Sequence, residues 1–311
     1  MARTNESVVR EFVLLGLTSS YELQLFFFVI FSIMYVASVL GNIMIIAIIS
    51  SDSHLNSPMN FLLRNLSFID ICQSNFATPK MLVDFFVEHK TISFEGCITQ
   101  IFLLHSFVGS EMMLLVAMAY DRFIAIRKPL HYSTIMNQRL CMIFVFISWA
   151  VGILHSVSHL AFIVALPFCG PNEVDSFFCD LPLVIELTCI DRYEMEIMTL
   201  INSGLISLSC FLALIISYTI ILITVRHRSS SGSSKALLTL TAHITVVILF
   251  FGPCIYFYIW PFSRFSVDKF LSVFYIVCTP LLNPIIYSLR NEDVKSAMRK
   301  LRKHYVNSWK N

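Results

Sequence analysis

Five stretches of the chain, 23–51, 140–172, 197–225, 236–263 and 270–289, contain no Asp, Glu, Lys or Arg. A helix crosses the hydrocarbon of a bilayer in about 20 residues, and there every backbone polar group must find its partner within the structure. These stretches are too long for barrel strands of about ten residues, and they do not alternate. Two further apolar runs carry isolated charges. Pro58 to Phe86 holds Arg64, Asp70, Lys80 and Asp84; Cys97 to Ile126 holds Glu111, Asp121 and Arg122. The pattern predicts an all-α membrane protein with a bundle of seven transmembrane helices over 23–290. The spans are expected at about 23–50, 58–86, 97–126, 139–166, 197–226, 236–261 and 269–289, with an outer segment 1–22 and a tail 291–311. Composition points the same way: 14% of residues are charged, against about 25% in soluble domains.

Seven antiparallel spans put the two ends of the chain on opposite sides. Fifteen of the 22 Lys and Arg residues, among them Arg122, Arg127, Arg226 and Arg299, fall on the side of the C-terminus. The positive-inside bias therefore predicts an outer N-terminus, a cytoplasmic C-terminus and a multi-pass protein. The first run starts late and lacks a basic front and a cleavage site, so it reads as a span rather than a signal peptide. Asn5-Glu6-Ser7 is a glycosylation acceptor on the outer side. After Asn291 the sequence turns basic and amphipathic, which suits a short helix lying on anionic lipid.

The third span carries a working face. Leu104, Val108, Glu111, Leu115, Met118 and Arg122 are spaced four, three, four, three and four apart, which on a helix makes one stripe. An apolar outer zone, a mid-membrane carboxylate and an inner guanidinium share that stripe. Asp70 lies at a comparable depth on the second span. Two carboxylates in a low-dielectric core cannot both stay charged and unpaired, so they share a cation, with sodium as the candidate, or one holds a proton. A hydrogen-bonded polar plug with Asn42, Ser67 and Asn283 is the plainer alternative.

Five of the nine cysteines, Cys72, Cys141, Cys210, Cys254 and Cys278, fall within spans as small packing residues. Cys97, Cys169, Cys179 and Cys189 lie on the outer side. Four cysteines in an oxidising compartment suggest two disulfides, with three connectivities open. None has the spacing of a zinc site. No HExxH, GxSxG, P-loop or GxGxxG is present, so no enzyme, cofactor or nucleic-acid partner is expected. A transporter using Asp70 and Glu111 as ion ligands would call for internal repeats or paired broken helices, and the sequence shows neither.

Six motifs in order then resemble the olfactory receptors among rhodopsin-like G-protein-coupled receptors. They are Gly41-Asn42, HLNSPMNFLLRNLSFID over 54–70, MAYDRFIAIR over 118–127, FFCDLPLVIELTC over 177–189, KALLTLTAH over 235–243 and PLLNPIIYSLRN over 280–291. Departures from the family pattern are Asn60 and Phe123 for Tyr, and Arg127 and Leu240 for Cys. The resemblance implies disulfides Cys97–Cys179 and Cys169–Cys189. It implies that Asp121 holds Arg122 at rest and that Arg122 later meets Tyr218 and the α subunit of a stimulatory G protein, with His243 near the same level. It implies a hinge at Asn283, Pro284 and Tyr287. The ligand site would lie in the outer halves of spans three to seven. Span three would give Leu104, His105, Val108, Gly109 and Met112, and span four His155 and His159. Span five would give Asn202, Ser203 and Ile206, span six Phe251, Ile255 and Tyr258, and span seven Val273 and Ile276. Such greasy walls with a few polar groups suit small, volatile, mostly apolar odorants. The expected partners are an odorant, the G protein and membrane lipid; the expected location is the plasma membrane.

Overall fold

The computed structural model describes residues 9–164, 166–169, 171–189, 191–227, 233–259, 267–290 and 294–299. Within them lie seven long helical segments: α1 (Tyr21–Ser51), α2 (Pro58–Asp84), α3 (Phe94–Arg127), α4 (Gln138–Ile163), α5 (192–227), α6 (Ser233–Ile259) and α7 (267–290). The starts follow local chemistry. Ser57 accepts from Asn60 N (3.2 Å) with Pro58 as the first helical residue, Ser93 accepts from Gly96 N (3.0 Å), and Asn137 accepts from Leu140 N (3.0 Å). Each side chain satisfies an N–H that the helix leaves orphaned. By length and composition alone, four helices are apolar enough to cross a membrane: Tyr21–Ser51, Phe94–Arg127, Gln138–Ile163 and Ile197–Arg226. His243–Tyr256 and Leu271–Ile286 are shorter apolar helices, and α2 carries Arg64, Asp70, Lys80 and Asp84 along its length.

α3 runs through the middle. Its stripe residues Leu104, Val108, Glu111, Leu115 and Met118 are all buried, and the main core cluster gathers around it from α1, α2, α5 and α6. α1 shows the opposite pattern, with Phe26, Ile33, Val36 and Leu40 exposed. Apolar side chains exposed along the flank of a helix fit a lipid-facing surface rather than an aqueous one.

Two helices carry π turns, α5 at Leu200–Gly204 and α7 at Phe274–Cys278. α7 also contains Pro284, which has no N–H for the carbonyl of Pro280 one turn back. Asn42 of α1 supplies the missing donor: its Nδ2 reaches Pro280 O at 2.9 Å and Ser38 O at 3.0 Å. The Gly41-Asn42 motif is thereby a repair of the α7 kink. Gly41 lets the helices approach, since a Cβ there would meet Pro284 Cγ at 3.3 Å.

The outer end departs from an all-α reading. A three-stranded sheet in the order β2-β1-β3 caps the bundle, with β1 (Glu11–Leu14) antiparallel to β2 (Thr91–Ser93) and parallel to β3 (Glu173–Val174). Phe12 of β1 is fully buried, with ring centroids 6.1 Å from Phe94 and 5.8 Å from Phe168. The segment expected as a plain outer terminus is the centre of the cap. Strands of two to four residues leave no periodicity to detect, and their pairing depends on chain far away in sequence. Disulfides join Cys97 to Cys179 and Cys169 to Cys189, fixing the long outer loop to the top of α3 and to itself. Lys269 at the start of α7 closes the ring: its Nζ reaches Asp175 Oδ1 at 2.5 Å and Gly16 O at 3.2 Å.

Candidate functional site

The polar residues of the bundle interior fall at three depths. At the inner end, Asp121 is fully buried. Arg122 Nη2 lies 3.1 Å from Asp121 Oδ2, and the hydroxyl of Tyr132 donates to Asp121 Oδ1 at 2.7 Å. Tyr132 opens the short helix Tyr132–Ile135 after α3. It is a partner of the Asp-Arg pair that the sequence reading passed over, although it directly follows the Pro-Leu-His run that ends the Asp-Arg segment. Burial, and then the Asp121 carboxylate beside it, push its phenol up from the ordinary tyrosine range, so it remains a donor throughout the physiological range. Tyr218 of α5 and His243 of α6 are both buried and meet in a hydrogen bond. The inner cluster therefore has two parts: Arg122 is held within α3, and Tyr218 is held to α6 rather than to Arg122. Arg127 Nη1 adds a bond to Thr224 Oγ1 of α5 at 3.2 Å.

Removing the hydroxyl of Tyr132 strips one of the partners from the buried Asp121 carboxylate. Tyr132→Phe is expected to destabilise the fold by about 1–3 kcal/mol, read as a lower thermal unfolding midpoint of the purified protein.

At mid-depth, Asn283 of α7 joins the two buried carboxylates. Its Nδ2 lies 3.0 and 3.2 Å from Asp70 Oδ1 and Oδ2 and 3.1 Å from Glu111 Oε1. Asp70, Glu111 and Asn283 are all buried. Two N–H groups thus face three carboxylate oxygens, while Glu111 Oε2 and Asn283 Oδ1 are buried without a hydrogen-bond partner. The cluster is rich in acceptors and poor in donors, which is the electrostatic condition for holding a cation or a proton. Ser67 is buried on α2 beside this level, and Asn42 is committed to α7.

In the outer half, the expected ligand walls divide between two clusters. Val108, Met112 and Phe251 belong to the main core, with Ile206 and Ile255 packed against it. Leu104 and Ile276 join Phe177 and Phe178 of the outer loop, with Val273 alongside. The histidines come together between α3, α4 and α5: the ring of His159 lies 5.1 Å from His105 and 4.6 Å from His155. Ser203 Oγ lies 3.0 Å from His155 Nε2 and 2.7 Å from His159 Nε2. Ser203 reaches them from the π turn of α5, where the extra residue of that turn shifts the helix face.

Two residues expected in the ligand wall sit elsewhere. Gly109 packs on α4, where a Cβ would come within 3.0 Å of Gly152 Cα, so it forms a helix contact and not a cavity wall. Asn202 exchanges hydrogen bonds with Ser158 at 2.7 and 2.9 Å on the exposed flank of α4 and α5. A helical wheel gives the direction of each residue but not how near the neighbouring helix lies, and that distance decides both cases. Asn5 lies outside the described residues, as do the side chains of Tyr258 and Tyr287 and most of the tail.

Comparison with known proteins fits this arrangement. The family described as "Olfactory receptor" matches residues 31–304. The chain is 86% identical to human Olfactory receptor 4K1 over 311 residues, covering the whole of both chains. It is 61% identical to human Olfactory receptor 4K3 over 310 residues, covering 100% of this chain and 98% of that one. With human Olfactory receptor 4K15 the identity is 62% over 306 residues, covering 98% and 94%. The chain belongs to the olfactory receptor family of class A G-protein-coupled receptors, a family of receptors and not of enzymes.

Proposed function

We propose that this receptor spans the plasma membrane seven times, with its N-terminus outside and its C-terminus in the cytoplasm. It binds small, volatile, mostly apolar odorants in the outer half of the bundle. It then activates a stimulatory, olfactory-type G protein and raises cyclic AMP. The observation that carries this reading is the inner latch, with Arg122 against Asp121 and Tyr218 against His243. Arg122 lies on the same stripe of α3 as Glu111 and the outer apolar residues Leu104 and Val108. A ligand that favours a different packing of the outer half would bias that latch toward release, to the extent that it binds the open packing better. Once freed, Arg122 turns toward the cytoplasmic opening, meets Tyr218 and receives the G protein. Asp70, Glu111 and Asn283 hold sodium or a shared proton at the middle of the same path, and Pro284 and Tyr287 serve as the hinge of α7. Asn5 carries the glycan, and the basic segment after Asn291 rests on inner-leaflet lipid.

A cyclic-AMP screen of odorants in transfected cells tests the reading, with Arg122→Ala as the control. The variant is expected to reach the surface and bind agonist while evoked cyclic AMP falls to the level of cells without receptor. Signalling preserved in Arg122→Ala would remove Arg122 from the role assigned to it.

A further inference from the structure

Resting on the odorant-receptor reading, we propose that the outer site selects odorants that donate a hydrogen bond, alcohols and phenols above all, through the open Nε2 of His105. His105 Nδ1 lies 2.9 Å from the carbonyl oxygen of Ile101. A carbonyl only accepts, so Nδ1 carries the proton of that bond. A cationic ring is disfavoured at this depth, because a buried charge needs a partner of opposite sign. The nearest carboxylate along α3 is Glu111, six residues and about 9 Å further along the helix axis. The ring is neutral, and Nε2 then presents a lone pair. No hydrogen bond reaches that nitrogen from a described residue.

Most polar groups near His105 are engaged within the protein, the exception being His155 Nδ1, which is buried without a hydrogen-bond partner. Ser203 Oγ is engaged by His155 and His159. Ser156 Oγ donates to Phe102 O at 2.5 Å, and Ser207 Oγ donates to Ser203 O at 2.5 Å. Asn202 is tied to Ser158. His105 is half-buried, its ring 5.1 Å from that of His159 and 6.0 Å from that of His155, and its Nε2 remains an acceptor. An aldehyde, ketone, ester or ether brings only lone pairs to it. An O–H supplies the proton that the acceptor lacks, and the rest of the molecule fills apolar space. A buried acceptor left unmatched weakens binding by about ten- to a hundred-fold.

The test uses the full chain in transfected cells and matched ligands of one carbon skeleton: a primary alcohol, its aldehyde and its methyl ether, with phenol and anisole as an aromatic pair. The alcohols and phenol are expected to give half-maximal cyclic AMP at concentrations about tenfold or more below those of their partners. His105→Phe keeps an aromatic ring and removes the lone pair, and is expected to bring the alcohol-to-ether ratio close to one. Ethers or aldehydes that match the alcohols on the wild-type receptor would overturn the donor rule alone. So would an unchanged ratio in His105→Phe at normal surface level. If His105→Phe does not reach the surface, the wild-type ratio decides. If no odorant of any class raises cyclic AMP through receptor confirmed at the surface, the odorant-receptor reading itself fails and takes this rule with it.

Discussion

Gly152→Ala is expected to leave almost no folded receptor at the cell surface. Gly152 of α4 lies directly against the backbone of α3. A Cβ at that position would overlap Ser110 Oγ and Ser106 O, and would come within 2.7 Å of Ser110 N. Ser110 Oγ already donates to Ser106 O at 2.7 Å, so the overlap falls on a closed helical turn with no flexible end to swing aside. Gly109 faces the same crossing from the other side, within 3.0 Å of Gly152 Cα for a built Cβ. Membrane helices lack a hydrophobic drive to associate and rely on close approach of this kind, which small residues permit. Forcing them apart costs about 3 kcal/mol by the usual penalty for overpacking, a large part of a stability of about 5–15 kcal/mol. Gly252→Ala supplies the control, because nothing lies within 4 Å of a Cβ there. It is expected to be tolerated, helped slightly by the better helix propensity of Ala. Surface labelling of an N-terminal epitope, compared with total protein, reads both. Equal surface levels for the two variants would show that α3 and α4 are not held at the distance described.

The same crossing marks how far the sequence could be read. The stripe from Leu104 to Arg122 was legible because helical geometry fixes which residues share a face, and all but the half-exposed Arg122 are buried. Asp70 and Glu111 were legible as a pair because isolated charges in apolar runs stand out and counting residues gives their depth. Their link through Asn283 required the register of α7 against α2 and α3, which no local pattern carries. Gly109 read as a position in a pocket because the absence of a side chain looks the same facing a ligand or facing a helix. Tyr132 was missed for a related reason: it lies just beyond α3 on a four-residue helix, and only tertiary folding returns its hydroxyl to Asp121. The cap was hidden most completely. β1 has four residues, and its partners are about 80 and 160 positions away along the chain.

Asn283→Ala is the second substitution with a large expected effect, and its rescue gives it meaning. The amide of Asn283 supplies the donors that hold Asp70 and Glu111 together. Its loss leaves two buried carboxylates facing each other with fewer donors than before, when Glu111 Oε2 already has no hydrogen-bond partner. Breaking a buried charged network by removing one member costs about 3–5 kcal/mol, whereas replacing all its charges with neutral groups of similar shape is often neutral. Asn283→Ala alone is therefore expected to lower surface receptor severely. The same change combined with Asp70→Asn and Glu111→Gln is expected to recover much of it, because amides bring their own donors and carry no charge. Signalling is expected to separate from folding in the combined variant. With no charge to hold sodium or a proton, its basal cyclic AMP should no longer respond when external sodium is replaced by choline. A combined variant as poorly expressed as Asn283→Ala would mean that Asn283 acts by shape at the α7 kink beside Pro284, and not by neutralising the charges of α2 and α3.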